Sequence, residues 1–528
     1  MTKPGGYMLD DTRLTPLDAG DPLTRLAGAR EALRAAQYDR ALELIDGYDD
    51  WDGSLSEEAV LLKAETLTRR TPIAALEWLA RTNDLLTSAS GRFGYLLASG
   101  KAYANSRNFD SAHEMFRAAE ELVDDAGENA LARLGYQRAR LRWMLRDFDP
   151  HAEEIAWALR NPDATAQLQA LNIRGWMYAG LEQFERQIVD ASAALRIAEN
   201  HADSCDIASI GTLLHSTSRL AFELGHRDGI ALAQNVYESV PWTNDVRIDR
   251  FQTMRAFAWD AFIQGEPARA QWLFKDSKSL APSVAWEVMA HLDRAYVARI
   301  SDNEPWAMEE LAQAHALARN VQWGATLGEE RLALVTLALL FAPVDMGQAQ
   351  RYVSTYIALG TENVDPTLAI GGDRRAIGFE KFASARVHQV LGNASLAIRS
   401  YETAYVIFSQ IQFHYRAAIA AIGLWETTKM PSWLDRAKHH AAHVPKSPIA
   451  AKLHAPDAGQ AEHPLAQLSP MQQQLAHALC EGLEMAALCE RFSRSSFTLQ
   501  RQIDALYEAL GVSTRADLRT ELQRRGVK

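Results

Sequence analysis

Apolar residues recur at helical spacing almost without a break from about Leu23 to Val444, interrupted only by short polar turns containing Gly, Asn, Asp or Pro. Strand signals are nearly absent from the same stretch, so an all-α chain is expected. The pattern also repeats itself. "LLASGKAYANSRNFDSAHEMFRAAEEL" places Gly100, Tyr103, Ala112, Phe116 and Ala119 in a fixed order. "AFAWDAFIQGEPARAQWLFKDSKSLAP" sets Ala258, Ala261, Ala270 and Phe274 at matching offsets, with Pro282 closing the unit, and "ASARVHQVLGNASLAIRSYETAYVIF" repeats all five with Ala385, His388, Ala397, Tyr401 and Ala404. Small residues at the first and third positions let two antiparallel helices approach closely, and the aromatic fills the gap to the next pair. Ala41, Ala307 and Ala349 mark further units at the tight position.

These spacings resemble the tetratricopeptide (TPR) repeat, whose period is about 34 residues. The resemblance implies a TPR-like α-solenoid of about ten helical hairpins over residues 20–445, after an N-terminal tail at 1–19. A stretch rich in Pro, Ala and His, residues 446–466, reads as a linker. TPR arrays coil into a superhelix whose groove is lined by the first helix of each hairpin. In this register the residue after the tight position enters the groove: Arg30, Lys101, Arg140, Arg219 and Arg386, with Trp176, Trp259 and Tyr296 in three other units. One turn earlier stand Tyr136, Asn172, His215 and Arg255. Cations and aromatics converging in one groove suit an anionic peptide, a protein tail or a small anionic metabolite. The alternative is that they pair with Asp and Glu of neighbouring repeats.

From Leu468 the pattern changes to four short helices, "SPMQQQLAHALCEG", "EMAALCERF", "SSFTLQRQIDALYEALG" and "TRADLRTELQRR". Ser469 suits the N-cap of the first with Pro470 at its first position, Ser495 or Ser496 caps the third, and Gly511 stops it. Leu468-Ser469-Pro470, Gly482, Leu488, Phe492, Ser495, Thr498, Leu499, Leu506 and Leu510-Gly511-Val512 stand in one ungapped register. The arrangement resembles the LuxR-type helix-turn-helix domain, here at 467–528. The resemblance implies that double-stranded DNA is a partner. Arg494, Ser495, Ser496, Thr498, Gln500 and Arg501 would face it, and Arg494, Arg515 and Arg519 would meet phosphates. Gln pairs with adenine and Arg with guanine in the major groove. The family often dimerises through its last helix, here with Leu518 and Leu522. Departures from the pattern are Met471, Gln472 and Gln474 in the first helix, Gln500 and Gln502 where a Lys and a His are usual, and Ala509 for a basic residue. Residues 468–528 hold eight Lys/Arg against seven Asp/Glu, so the electrostatic grip on a phosphate backbone is weak.

The whole chain has 528 residues and a formal charge of −12, which excludes a generally basic nucleic-acid coat protein. Three cysteines, Cys205, Cys480 and Cys489, form no disulfide framework and no zinc pair, and the N-terminus lacks an apolar signal core. A cytoplasmic protein with no membrane partner is expected. "GYLLASGKA" falls one residue out of phosphate-loop spacing, and "HEMFRA" lacks the second His of a zincin. Asp435, His439 and His443 share a helix face but would stretch a zinc site. No catalytic constellation stands out, so neither an enzyme nor a cofactor or metal is expected. The chain resembles the sensor and output parts of maltose-activator-like regulators, without the ATPase segment. The reading is a bacterial transcription regulator in which the solenoid senses a ligand and the terminal domain binds DNA, with homodimerisation and RNA polymerase contact in view. The rival reading is a TPR adaptor whose terminal domain contacts protein only.

Overall fold

Most first helices of the repeat end by turning the chain back through a left-handed residue. The computed structural model describes residues 21–46, 53–323, 328–359, 372–454, 470–492, 494–510, 512 and 514–524, and every regular element among them is helical. The helices pair in sequence order. They run α1 (Pro22–Arg34) with α2 (Tyr38–Ile45), α3 (Gly53–Arg70) with α4 (Pro72–Thr82), α5 (Ala89–Asn105) with α6 (Phe109–Glu120), and α7 (Ala130–Met144) with α8 (Glu153–Leu159). Next come α9 (Ala164–Gly180) with α10 (Phe184–Asn200), α11 (Ile207–Leu224) with α12 (Arg227–Ser239), and α13 (Arg247–Ile263) with α14 (Pro267–Lys278). The last are α15 (Val284–Ile300) with α16 (Glu304–Ala318), α17 (Gly328–Phe341) with α18 (Met346–Ala358), α19 (Gly372–Val390) with α20 (Ala394–Gln410), and α21 (His414–Thr428) with α22 (Pro431–Ala441). This is a TPR-like helical-repeat solenoid, with eleven hairpins among the described residues instead of about ten. First helices begin 31 to 44 residues apart, because the links between hairpins vary in length.

Eight of the hairpins close on the same turn. Ala36, Arg107, Arg146, Glu182, Gly225, Gly265, Asp302 and Gly392 adopt φ between 52° and 76°. In each, the next residue's N–H reaches back five residues to a helix carbonyl, as from Gln37 to Ala32 at 2.7 Å and from Asn393 to His388 at 2.9 Å. That bond satisfies a carbonyl the helix end would otherwise orphan. Only three of the eight residues are glycine, so the turn imposes a left-handed backbone on side chains that disfavour it.

The tight positions lie where the spacing placed them. Ala41, Ala112, Ala270, Ala307, Ala349 and Ala397 are all buried, and so are the aromatics Phe116, Phe274 and Tyr401 that complete each hairpin. At Gly100 a Cβ would enter the Phe116 ring, so helices α5 and α6 owe their close approach to that glycine. The stack also meets itself. Arg34 donates to the Cys205 carbonyl at 3.3 Å, Arg69 to Asp206 at 3.0 Å, and the Tyr38 N–H to Asp245 at 3.2 Å. Further along, Arg374 pairs with Glu182 and Arg416 with Glu223. The hairpins therefore wind through a full superhelical turn, bringing α1–α3 onto the segments that open α11 and α13.

Two units make up the chain, divided between Ala451 and Lys452. At the start of the expected linker lies α23 (Pro448–His454), with Ser447, Ile449 and Ala450 buried. The apolar residues of this short stretch are enough to pack it. The rest of that linker and the tail at 1–19 fall outside the described residues. The second unit holds α24 (Pro470–Cys480), α25 (Met485–Phe492), α26 (Ser496–Leu510) and α27 (Arg515–Arg524) around one apolar core. No helix among the described residues is long and apolar enough to cross a membrane.

Gly392 has φ +75° with nothing near a potential Cβ, and Gln412 has φ +59° with its side chain exposed. Gly392→Ala is expected to destabilise the solenoid by about 1 kcal/mol and Gln412→Gly to stabilise it by up to about the same amount. Thermal unfolding of the full chain checks both signs.

Candidate functional site

The twelve side chains assigned to the groove sort into three sets. Lys101, Tyr136, Arg140, Asn172 and Trp176 converge from α5, α7 and α9 on one recess of about 420 Å³. Arg219, Arg255, Trp259 and Tyr296 gather around two small abutting clefts of about 50 and 60 Å³ further along. Arg30, His215 and Arg386 line neither recess. Each of these three faces an acid on a following helix, namely Glu58, Asp249 at 3.5 Å and Glu426 at 3.6 Å.

The first recess gains its remaining walls from positions one turn later in the same register. Arg69, Asn105 and Trp143 belong there, with Tyr38, Gln169 and Ser209 beside them. In the second hairpin the residue after the tight Ala64 is Glu65, an acid, which hid Arg69 four residues on from a search for cations. Glu65 accepts from Lys101 at 2.5 Å and from Arg69 at 3.3 Å. Burial opposes the Glu65 charge, but the two cations outweigh it and hold its carboxyl at about 2. Burial lowers the Lys101 pKa against the pull of Glu65. Burial also raises the Tyr136 phenol, so that ring stays neutral. Arg140 donates to the neutral amide oxygen of Asn105 at 2.5 Å. Trp143 and Trp176 lie with centroids 4.8 Å apart, and the buried Trp143 Nε1 has no hydrogen-bond partner.

A second recess of about 680 Å³ adjoins this one through Lys101, Tyr136 and Gln169, and its wall carries three carboxylates, Glu57, Glu58 and Glu65, beside Lys101 and Arg133. Glu57 is occupied structurally, accepting from the N–H groups of Thr87 at 2.7 Å and Ser88 at 2.9 Å.

The small clefts form around Arg416, which sequence reasoning missed because it follows a different helix register. Its guanidinium is 4.9 Å from the Trp259 ring centroid and 4.8 Å from that of Phe379, and both arms reach Glu223 at 3.4 Å. Arg255 is held by both oxygens of Asp293. These groups are largely satisfied by one another, which makes the first recess the better ligand site.

In the second unit, Leu499, Ile503, Leu506 and Leu510 are buried while Ser496, Gln500, Arg501 and Asp504 are exposed, as the helical period requires. Ser495 is the cap of α26, accepting from the Thr498 N–H at 3.3 Å. Ser469 and Gly511 lie outside the described residues. Arg494 and Arg501 are exposed. Gln500 donates to Asp504 at 2.9 Å, and Gln502 turns partly inward with its Oε1 buried and unpaired. Arg515 donates to the carbonyls of Leu479 and Leu483 at 2.6 Å each, and Arg519 to that of Cys480. Both guanidiniums thus cap the end of α24. Leu518 and Leu522, expected to serve a dimer contact, are buried in the four-helix core at 0% and 2% exposure. The short last helix spends its apolar stripe on its own domain, which removes those leucines from any dimer surface.

Asp435 is exposed, and His439 and His443 are 5.6 Å apart by ring centroids. Among the described residues no group of three or more His, Cys, Asp or Glu is placed to hold a metal. The histidines instead pack together: His414 stacks on His443 at 3.9 Å, and its Nδ1 lies 3.1 Å from that of His440, whose Nε2 reaches Tyr405.

No family model matches the chain, and no curated protein matches it. Among solved structures, a Rap protein complexed with competence and sporulation factor aligns with a TM-score of 0.42 at 13% identity, covering 69% of this chain and 99% of that one. The apo form of the quorum sensor NprR from B. thuringiensis aligns at 0.39 and 13% identity, over 73% of this chain and 98% of that one. The APC/C hetero-tetramer Cut9–Hcn1 aligns at 0.30 and 15% identity, over 95% of this chain and 90% of that one.

Burial, reinforced by neighbouring imidazoles, lowers His414 and His440 to about 4. An unfolded histidine titrates near 6.5, so on acidification the unfolded chain takes up these protons first. Their stabilising effect is complete above about pH 6.5 and is lost as pH falls toward 4. The unfolding temperature should therefore drop between pH 7 and pH 5, and His440→Gln should flatten that slope in a thermal melt series.

Proposed function

We propose that the protein is a bacterial, cytoplasmic transcription regulator in which the solenoid recess senses a small anionic or peptide ligand and the terminal four-helix unit binds DNA. The observation that carries the output half is the outer face of α26. A short capped turn precedes it, Ser496, Gln500 and Arg501 project outward, and four leucine and isoleucine side chains anchor its other side. That disposition suits a recognition helix entering the major groove. The sensing half rests on the convergence of Lys101, Tyr136, Arg140, Asn172 and Trp176 on a single recess. Mixed cations, amides and an indole stack fit a polar ligand with an anionic group.

The adaptor reading draws on a specific observation as well. Arg515 and Arg519 are committed to helix carbonyls and Gln500 to Asp504, so few cations remain to meet phosphates. Under that reading the exposed face of α26 contacts a protein, RNA polymerase among the candidates.

Selection of duplexes from a random pool by the full chain at low salt separates the two. The regulator reading expects an enriched site, with Arg501→Ala weakening binding to it by about 10- to 100-fold, as loss of a bidentate base contact would. Absence of any enriched site with correctly folded protein would hand the case to the adaptor.

A further inference from the structure

The recess that holds Lys101 and Arg140 also contains half of the contact that closes the superhelical turn. Arg69 lines its wall and reaches both oxygens of Asp206, at 3.0 and 3.2 Å, across 137 residues of chain. We propose that this recess binds a compact doubly charged anion, a phosphate monoester or a dicarboxylate, and that binding draws Arg69 off Asp206 and releases the closed turn. The inference rests on the recess being the ligand site, and it adds the chemistry of the ligand and the movement that reports it.

Charge balance points this way. Three cations from three successive hairpins, Arg69, Lys101 and Arg140, face two carboxylates, Glu65 and Asp206. Arg140 is opposite an amide and has no acid paired with it among the described residues, so it brings an excess charge to a half-buried wall, where a Coulomb attraction is stronger than in water. An extended acidic peptide is disfavoured, because the adjoining recess, although Arg133 also lines it, carries Glu57, Glu58 and Glu65. A compact anion meets the cations without approaching Glu57 or Glu58.

The two carboxylates differ in what each loses on release. Glu65 is held by Lys101 and Arg69 alone among these groups. Asp206 also caps α11, accepting from the Ser209 N–H at 3.0 Å and the Ser209 hydroxyl at 2.5 Å. Asp206 therefore keeps hydrogen-bond partners when Arg69 departs, and it is the acid an entering anion displaces. The rest of this closure is slight: among the described residues, one long bond from Arg34 to the Cys205 carbonyl, one from the Tyr38 N–H to Asp245 and one at 3.5 Å from the Thr243 hydroxyl to the Ala36 carbonyl. A ligand can shift this equilibrium only through its different affinity for the open and closed forms, and Arg69 supplies that difference.

The test uses the full chain with Cys480 and Cys489 replaced by serine and spin labels at Glu43→Cys and Asp203→Cys, both exposed positions flanking the contact. Inorganic phosphate and succinate are titrated separately by calorimetry, against chloride at equal ionic strength, so that the two arms tell a phosphate site from a dicarboxylate site. At least one should bind saturably and lengthen the label distance. Arg140→Met should weaken that binding at least tenfold. Asp206→Asn should lengthen the distance without ligand and tighten binding severalfold, while Arg69→Lys checks that the chain stays folded with its charge kept. Absence of saturable binding by either anion, binding that Asp206→Asn leaves unchanged, or an unmoved label distance would each overturn the proposal. Should a peptide perturb Trp176 fluorescence while neither anion binds, this inference falls and the recess remains a sensor site.

Discussion

Close approach of the two helices in each hairpin is the constraint on which the solenoid depends. A residue no larger than alanine on one helix, set against an aromatic or a small residue on its partner, lets the pair bury its apolar faces; Gly100 against Phe116 is the tightest instance described above. Once that contact is made, the next residue along the first helix has no choice of direction. It points toward the interior of the superhelix, which is why Lys101, Arg140 and Trp176 reach a common recess from separate hairpins. Packing thus determines the site before any ligand does.

Electrostatics then selects among the side chains so placed. Most cations on the inner face find an acid on a following helix, as Arg30 does with Glu58 and Arg255 with Asp293. Such pairs neutralise an inner surface that would otherwise repel itself, and they leave little to offer a ligand. The recess around Lys101 differs because Arg140 sits opposite an amide and because Arg69 is shared between the wall and the closure of the turn. A net charge of −12 for the whole chain says nothing about this local excess.

The terminal unit shows how a helix pattern can be read correctly while its surface roles are not. Leu499, Ile503, Leu506 and Leu510 are core residues, as their spacing implied, and the outward row on α26 follows from them. Arg515 and Arg519 looked like free cations, but the end of α24 lies within their reach and its carbonyls lacked partners. Leu518 and Leu522 looked available to a second copy, but a helix of ten residues has too few apolar positions to serve both its own core and another.

Local chemistry in the sequence determined the helices, the hairpin pairing and the inward register, because a 3.6-residue period and a small residue at a fixed offset act over a few turns. Only the tertiary structure decided which inward side chains meet, because that depends on how far the stack rotates per hairpin. That rotation brings Arg69 to Asp206 and Arg416 to Glu223 across more than a hundred residues. No spacing rule along the chain encodes such a meeting. It accumulates from many small packing angles, and the recess around Lys101 is its result.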